Sequence, residues 1–157
     1  MTEQEATDLE SEFGVRFPRG YRKAVTDGYP FSIPSEELSD DAESLRIFNT
    51  DCREEDPWGF PWRPDYWMTG GDGLGGFYFI DTREPDSRVF YCDHENMPSS
   101  MEDTERIAVL PFSEFLDEIA AVQEEMALWE NDWQQRVANR RWWQFWIPRQ
   151  WPPNPKS

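Results

Sequence analysis

Asp93-His94-Glu95 contains the only histidine in the chain, and it is the first candidate for chemistry. A histidine between two carboxylates could act as a general base or as a metal ligand. Adjacent residues of a loop seldom converge on one ion, and no second histidine is present to help them. We therefore interpret this segment as a turn at a strand end. A small metal-dependent hydrolase that uses these three residues is kept as a third hypothesis.

The glycine-rich residues 70–76 could be taken for a phosphate-binding loop. They lack the G-x-x-x-x-G-K-[ST] arrangement, and they precede a predicted strand where a phosphate loop would lead into a helix. Without a helix N-terminus no helix dipole faces a phosphate. We predict a flexible approach to the sheet. No catalytic, cofactor-binding or metal-binding residue is predicted, no cofactor is expected, and the chain is not expected to be an enzyme.

Acidic residues interleaved with tryptophans form the strongest candidate for binding. Protein interfaces favour Trp and Tyr anchors surrounded by polar groups. An alternative of equal weight is that the rings cover the sheet as a satellite core, and that the acids are simply solvated. The predicted partner-binding residues are Glu36, Glu37, Asp40, Asp41, Glu54, Glu55, Asp56, Trp58, Trp62, Tyr66, Trp67 and Asp72.

The charge of the chain narrows the class of partner. The formal net charge is −17, and it is uneven: the first 135 residues hold 32 acidic and 10 basic side chains, whereas residues 136–157 hold five basic ones and no acidic one. An acidic body repels phosphate backbones and anionic membranes, so neither nucleic acid nor a membrane is expected as a direct partner. The same charge attracts basic proteins and accelerates their association.

The cysteines and the first 13 residues indicate the cellular compartment of the protein. Cys52 and Cys92 have no metal-ligand spacing, so two reduced thiols in a reducing compartment are expected. Residues 1–13 lack the basic and apolar regions of a signal peptide, and no stretch of about 18 apolar residues exists. We therefore expect a cytoplasmic protein.

Two short helices are predicted at the start of the chain. Ala6, Leu9 and Phe13 recur at helical spacing over residues 3–14, with Thr2 and Glu5 resembling a capping box. A second helix is predicted after residue 17, with Pro18 at its first position and a stop at residues 27–28.

Residues 45–110 are predicted to form strands joined by loops. Residues 45–48 alternate and indicate a strand. Residues 51–72 hold three prolines among five large aromatic residues, which predicts an ordered, aromatic-packed loop. Residues 77–81 and 88–92 are almost wholly aromatic or β-branched and predict a hairpin. Residues 106–110 predict a further short strand.

One long helix is predicted over residues 112–139. Its apolar residues follow a three-four alternation from Phe112 to Val137 and make a single stripe. The Trp/Arg-rich residues after it have three interpretations: packing against the acidic body, which the charge favours, an interfacial membrane segment, or stacking on nucleic acid. We predict one domain over residues 1–140 and a C-terminal extension over 141–157.

The order of these elements predicts an α+β fold, with an antiparallel sheet flanked by N-terminal helices and a long C-terminal helix. Nine Trp, eleven Phe and five Tyr residues supply an aromatic core, although apolar residues make up only 38% of the chain.

Four segments in this order resemble the SUKH superfamily, which is common among bacterial immunity proteins. Residues 9–21 resemble the family's acidic helix, Gly, hydrophobic-Pro-x-x-Tyr opening, and residues 75–81 resemble its central strand. Residues 89–95 resemble its aromatic strand ending in Asp-His-Glu, and residues 107–116 resemble its last strand and Ser-Phe-x-x-Phe-Leu helix. The segment at Asp27, where the family usually has Asn-Gly-Gly, departs from the pattern.

The resemblance implies an α+β fold, no catalysis and binding to a cognate toxin domain. The resemblance also implies the kind of toxin. Toxins paired with this family are often nucleases, of the kind found in polymorphic toxin and type VI secretion systems. A basic nuclease would suit an acidic inhibitor. We therefore expect an immunity protein that neutralises a toxin stoichiometrically and is a monomer when free. A regulatory scaffold that binds a housekeeping partner, as in fungal members, is the alternative.

Overall fold

A computed structural model describes residues 1–30, 38–54, 62–93, 95 and 108–139 of the chain. By their internal contacts the residues group into two units, Met1–Ile119 and Ala120–Ser157. The predicted α+β arrangement is confirmed. Its elements are α1 Glu3–Phe13, α2 Arg19–Asp27, α3 Ala42–Glu54, β1 Tyr66–Gly71, β2 Phe77–Asp81, β3 Arg88–Cys92, β4 Ala108–Pro111 and α4 Phe112–Ala138.

Local signals place both ends of α1 correctly. The Thr2 hydroxyl accepts from the Glu5 amide, and the Glu5 carboxylate accepts from the Thr2 amide, so the capping box is complete. Gly14 follows in the left-handed conformation at φ 67°, which a glycine adopts without strain. Helix α2 begins one residue later than predicted, because Pro18 is its N-cap, and it ends at the predicted Asp27.

Helix α3 replaces the strand predicted over residues 45–48, and that prediction was wrong. Leu45, Asn49 and Cys52 are buried at spacings of four and three, which places them on one side of a helix. Four residues are too few to distinguish the two periods. The Asp41 carboxylate accepts from the Ser44 amide at 2.7 Å, which satisfies an amide at the helix start.

The sheet has the order β1-β2-β3-β4, and all neighbours are antiparallel. Strand β1 was not predicted, because the prolines around it suggested a loop from residue 51 to 72. The described part of that stretch is instead helix to Glu54 and strand from Tyr66, two residues after Pro64. The hairpin of β2 and β3 is confirmed, with Tyr78 opposite Tyr91 and Phe79 opposite Phe90.

The sheet buries apolar residues on both faces. Trp67, Ile80 and Val89 belong to a core that includes Leu9 and Tyr21 of the helices. On the other face a second cluster contains aromatic rings and a thiol: Tyr66, Phe77, Phe79, Phe90 and Cys92. Alternating side chains of the same strands therefore serve two separate cores.

The outer edge of β1 is covered by side chains of α3. The Asn49 amide nitrogen donates to the Met68 carbonyl at 3.0 Å, and its oxygen accepts from the Met68 amide at 2.9 Å. These are the two bonds that a neighbouring strand would supply at this position. The edge at Met68 is thus closed to pairing with another chain.

Helix α4 confirms the predicted long helix to within one residue. It begins in the first unit, where Phe112 and Phe115 are buried, and its residues from Ala120 onward belong to the second unit. In the second unit Val122, Met126 and Leu128 are exposed. The predicted boundary between residues 140 and 141 stays a prediction.

We predict that Asn49→Ala destabilises the protein by about 2–3 kcal/mol, because it leaves backbone groups of β1 without partners beneath α3. Chemical denaturation measures the loss. Asn131→Ala is the matched control, since Asn131 is exposed on α4, and it should change the unfolding free energy by less than about 0.5 kcal/mol. Equal effects of the two substitutions would contradict the role given to Asn49.

Candidate partner-binding face

The outward side of α3 is acidic with one apolar residue at its centre. Glu43, Ile47, Asp51 and Glu54 are exposed and follow each other at spacings of four, four and three, which places them on one side of the helix. Ile47 is 50% exposed. We call these four residues, together with the exposed Asp40 and Asp41 before the helix, the α3 face.

The inward side of α3 holds this face on the sheet. Arg53 donates to the carbonyls of Asn49 at 2.8 Å and Tyr66 at 2.9 Å, and its guanidinium lies 4.9 Å from the centre of the Phe13 ring. Burial lowers the pKa of Arg53. The carbonyls and the ring stabilise the partly buried cation, so Arg53 joins α1, α3 and β1.

The charges of the α3 face are only partly neutralised. Arg46 pairs with Glu43 at 2.7 Å and with Glu12 at 3.0 Å, so its single positive charge is shared between two carboxylates. Within the described residues Asp51 and Glu54 take part in no ion pair. Hydrogen bonds from the side chain and amide of Ser44 lower the pKa of Asp41. The face therefore presents net negative charge around Ile47.

The structure describes seven of the twelve predicted partner-binding residues. Asp40, Asp41 and Glu54 are exposed on the α3 face or at its edge. Four other predicted acidic residues and one tryptophan lie outside the described residues: Glu36, Glu37, Glu55, Asp56 and Trp58.

Three predicted aromatic anchors pack inside the protein. Trp67 is completely buried, and its indole nitrogen donates to the Tyr21 hydroxyl at 2.8 Å. Tyr66 is 2% exposed in the second cluster, where its ring lies 4.9 Å from that of Phe79. Trp62 is half-buried against the same cluster, 5.5 Å from Phe79. Tyr66 and Trp67 are neighbours on β1 and enter the cores on opposite faces of the sheet, so for these two rings the core interpretation applies.

Asp72 shapes the turn between β1 and β2. One carboxylate oxygen accepts from the amides of Leu74 and Gly76, and the other accepts from the Tyr91 hydroxyl at 2.7 Å. A Cβ at Gly76 would clash with that hydroxyl, so any larger residue there would displace the Tyr91 side chain from Asp72. The turn leaves Leu74 82% exposed. Asp72 thus acts on its own turn, and its carboxylate is already bonded.

Ile47 and Leu74 were not predicted as surface features. Ile47 was assigned to a strand, and only the helical period places it outward between Glu43 and Asp51. The sequence alone does not select this period, because the inward side includes the polar Asn49 between Leu45 and Cys52. Leu74 carries no periodic signal, since the turn that exposes it depends on Asp72 and Tyr91.

The remaining candidates for chemistry are incomplete or buried. The Glu95 amide donates to the Asp93 carboxylate at 2.9 Å, while His94 lies outside the described residues. The described part of the chain holds no group of three His, Cys, Asp or Glu side chains suited to a metal ion. Burial raises the pKa values of the Cys52 and Cys92 thiols to about 12, which keeps both protonated.

Among the described helices none has the length and apolarity to cross a bilayer.

A comparison with known families decides the classification of the chain. The pattern of the SMI1 / KNR4 family (SUKH-1) matches residues 1–118. The chain belongs to this family. The match confirms the SUKH resemblance, and it ends within α4, just before the second unit begins. Neither a curated protein nor a solved structure matches the chain significantly.

We predict that Asp72→Asn reduces the acid sensitivity of this SUKH protein. The hydroxyl of Tyr91 and the turn amides lower the pKa of Asp72 in the folded state, so the unfolded chain binds its proton at a higher pH. The stability that Asp72 contributes is present above its unfolded pKa and is lost as pH falls through the folded value. Melting temperatures from pH 7 to pH 3 should therefore fall less steeply for the variant.

Tyr91→Phe is the companion variant, because it removes the largest cause of the lowered pKa and leaves the carboxylate in place. Between pH 7 and pH 3 its melting temperature should fall less steeply than that of the wild type and more steeply than that of Asp72→Asn. Three superimposable pH profiles would contradict the role given to the Asp72 carboxylate.

Proposed function

We propose that this SUKH protein is an immunity protein, which binds a cognate protein toxin and neutralises it by stoichiometric inhibition. Membership of the SUKH-1 family over residues 1–118 is the observation that carries the proposal. The proposal assigns no catalytic step to the chain. It places the protein in the compartment where the toxin would act, the cytoplasm.

The charge of the chain supports a basic toxin. A net charge of −17 on 157 residues creates a negative potential that accelerates encounter with a cationic protein. Enzymes that act on nucleic acid carry basic surfaces, because their substrate is polyanionic. A nuclease-type toxin is therefore the class of partner that the charge favours.

The α3 face is the proposed docking surface. Its carboxylates at Asp51 and Glu54 have no described counter-ion, so a cation of the partner would not need to displace an existing pair. Ile47 adds an apolar contact at the centre, in the arrangement of an apolar core with a polar rim. The inward bonds of Asn49 and Arg53 to β1 hold the helix on the sheet, which reduces the entropy lost on binding.

The proposal is tested with the protein encoded by the neighbouring gene, which we expect to be the toxin. We expect the two proteins to co-purify in a 1:1 ratio from co-expressing cells, and we expect cells that express the toxin to grow only when this chain is present. Co-purification with a housekeeping protein alone, together with death of the co-expressing cells, would contradict the proposal and favour the regulatory scaffold.

A double charge reversal tests the α3 face. Asp51→Lys with Glu54→Lys should weaken toxin binding at least tenfold, chiefly by slowing association, because cationic side chains would then face a cationic partner. Binding kinetics at two salt concentrations measure the effect.

The matched control is Asp117→Lys with Glu124→Lys. These two residues are exposed on α4, and the control changes the net charge by the same amount. It should reduce the association rate by less than threefold. Equal losses in the two variants would show that net charge alone drives binding, and the α3 face would then be excluded as the specific docking surface.

A further inference from the structure

A stripe of large apolar residues runs along the second-unit part of α4. Val122, Met126, Trp129 and Trp133 follow each other at spacings of four, three and four. We call these four residues the α4 seam. Val122 is 47% and Met126 54% exposed, and both tryptophans are half-buried. The seam lies beyond residues 1–118, the part of the chain that matches the family.

The spacing of the seam is that of a coiled-coil surface. Apolar residues at alternating three and four positions keep one side of a helix facing a partner helix. The seam continues the register of Phe112, Phe115 and Ile119, which precede it on α4 at the same spacings. From Val122 to Trp133 it extends about 17 Å, which is enough for roughly three turns of a partner helix.

Acidic residues flank the seam. Glu118, Glu125 and Asp132 recur every seven residues on one side, and Glu130 lies on the other. Arg136 is the one basic residue on α4 from Phe112 to Ala138, and it already pairs with Asp132 at 2.7 Å. The flanks are therefore predominantly negative.

These flanks argue against a second copy as the occupant. In a parallel pair Glu125 of one chain would face Glu130 of the other, and in an antiparallel pair the row containing Glu118 and Glu125 would face itself. Like charges at these positions destabilise a coiled coil, whereas lysine or arginine in the partner would form ion pairs.

We propose that the α4 seam binds an amphipathic helix of a partner protein, with an apolar stripe bordered by lysine or arginine. Trp129 and Trp133 would act as the large anchors of the contact, and the acidic flanks would select for basic partners. This interaction is separate from the α3 face and does not depend on whether that face binds a toxin.

The probe is a synthetic 28-residue helical peptide with leucine at its a and d positions and lysine at e and g. The control peptide has glutamate at e and g. We expect the full chain to bind the lysine peptide with a micromolar Kd, and to bind the glutamate peptide at least tenfold more weakly. Titration calorimetry with the intact protein measures both values.

Variants that keep the net charge distinguish binding at the α4 seam from general attraction of a basic peptide to an acidic protein. Val122→Thr with Met126→Gln should weaken binding of the lysine peptide at least tenfold while the net charge stays the same. Ala121→Ser with Leu128→Gln is the matched control, because both residues are exposed on the opposite side of α4, and it should leave the Kd within twofold.

Three results would overturn the proposal. Unchanged binding by the seam variant would mean that charge alone attracts the peptide. No binding by the wild-type chain would mean that the seam is unavailable, as it would be if basic residues 140–157 occupied it. A dimer in sedimentation experiments that the seam variant converts to a monomer would identify a second copy as the occupant.

Discussion

The pairing of Asn49 with the backbone of Met68 is the contact on which the arrangement of this protein depends. One amide side chain supplies both outward hydrogen bonds of Met68 in β1, and it is completely buried in doing so. A buried donor or acceptor without a partner costs more than a typical hydrogen bond contributes, so this position tolerates few alternatives. The same contact closes a sheet edge and sets the rotation of α3, which turns Ile47 and Asp51 outward.

Aromatic packing compensates for the high charge of the chain. Like charges on the surface repel each other and oppose the compact state. The two clusters on either side of the sheet oppose this repulsion by burying rings, among them Trp67 on one face and Phe79 on the other. The polar atoms of two of the buried rings satisfy each other, since the Trp67 indole nitrogen donates to the Tyr21 hydroxyl. A small domain can therefore keep a strongly negative surface and remain folded.

The two candidate interaction surfaces differ in origin. The α3 face belongs to the part of the chain that matches the SUKH-1 family, and it is carried by the helix that borders the sheet. The α4 seam belongs to the second unit, beyond the match. Both combine exposed apolar side chains with carboxylates, so both favour cationic partners. A family fold followed by a segment outside the family pattern allows one chain to carry two separate interaction surfaces.

Local sequence signals were sufficient to predict the elements whose conformation is determined by neighbouring residues. The capping box and Gly14 delimit α1, the β-branched and aromatic runs define β2 and β3, and the three-four alternation defines α4. The order of four short motifs was likewise sufficient for the family. Each of these features can be recognised without knowing which segments meet in space.

Helix α3 and strand β1 required the tertiary structure. The run from Leu45 to Phe48 fits both periods, and only the burial of Leu45, Asn49 and Cys52 against β1 selects the helix. The prolines before β1 suggested a loop, although the strand begins beyond them. Burial also divided the predicted contact residues into two groups. Tyr66 and Trp67 are buried in the cores, whereas Asp40 and Glu54 are exposed to solvent. Sequence types identify which residues can bind, but long-range packing decides which of them reach the surface.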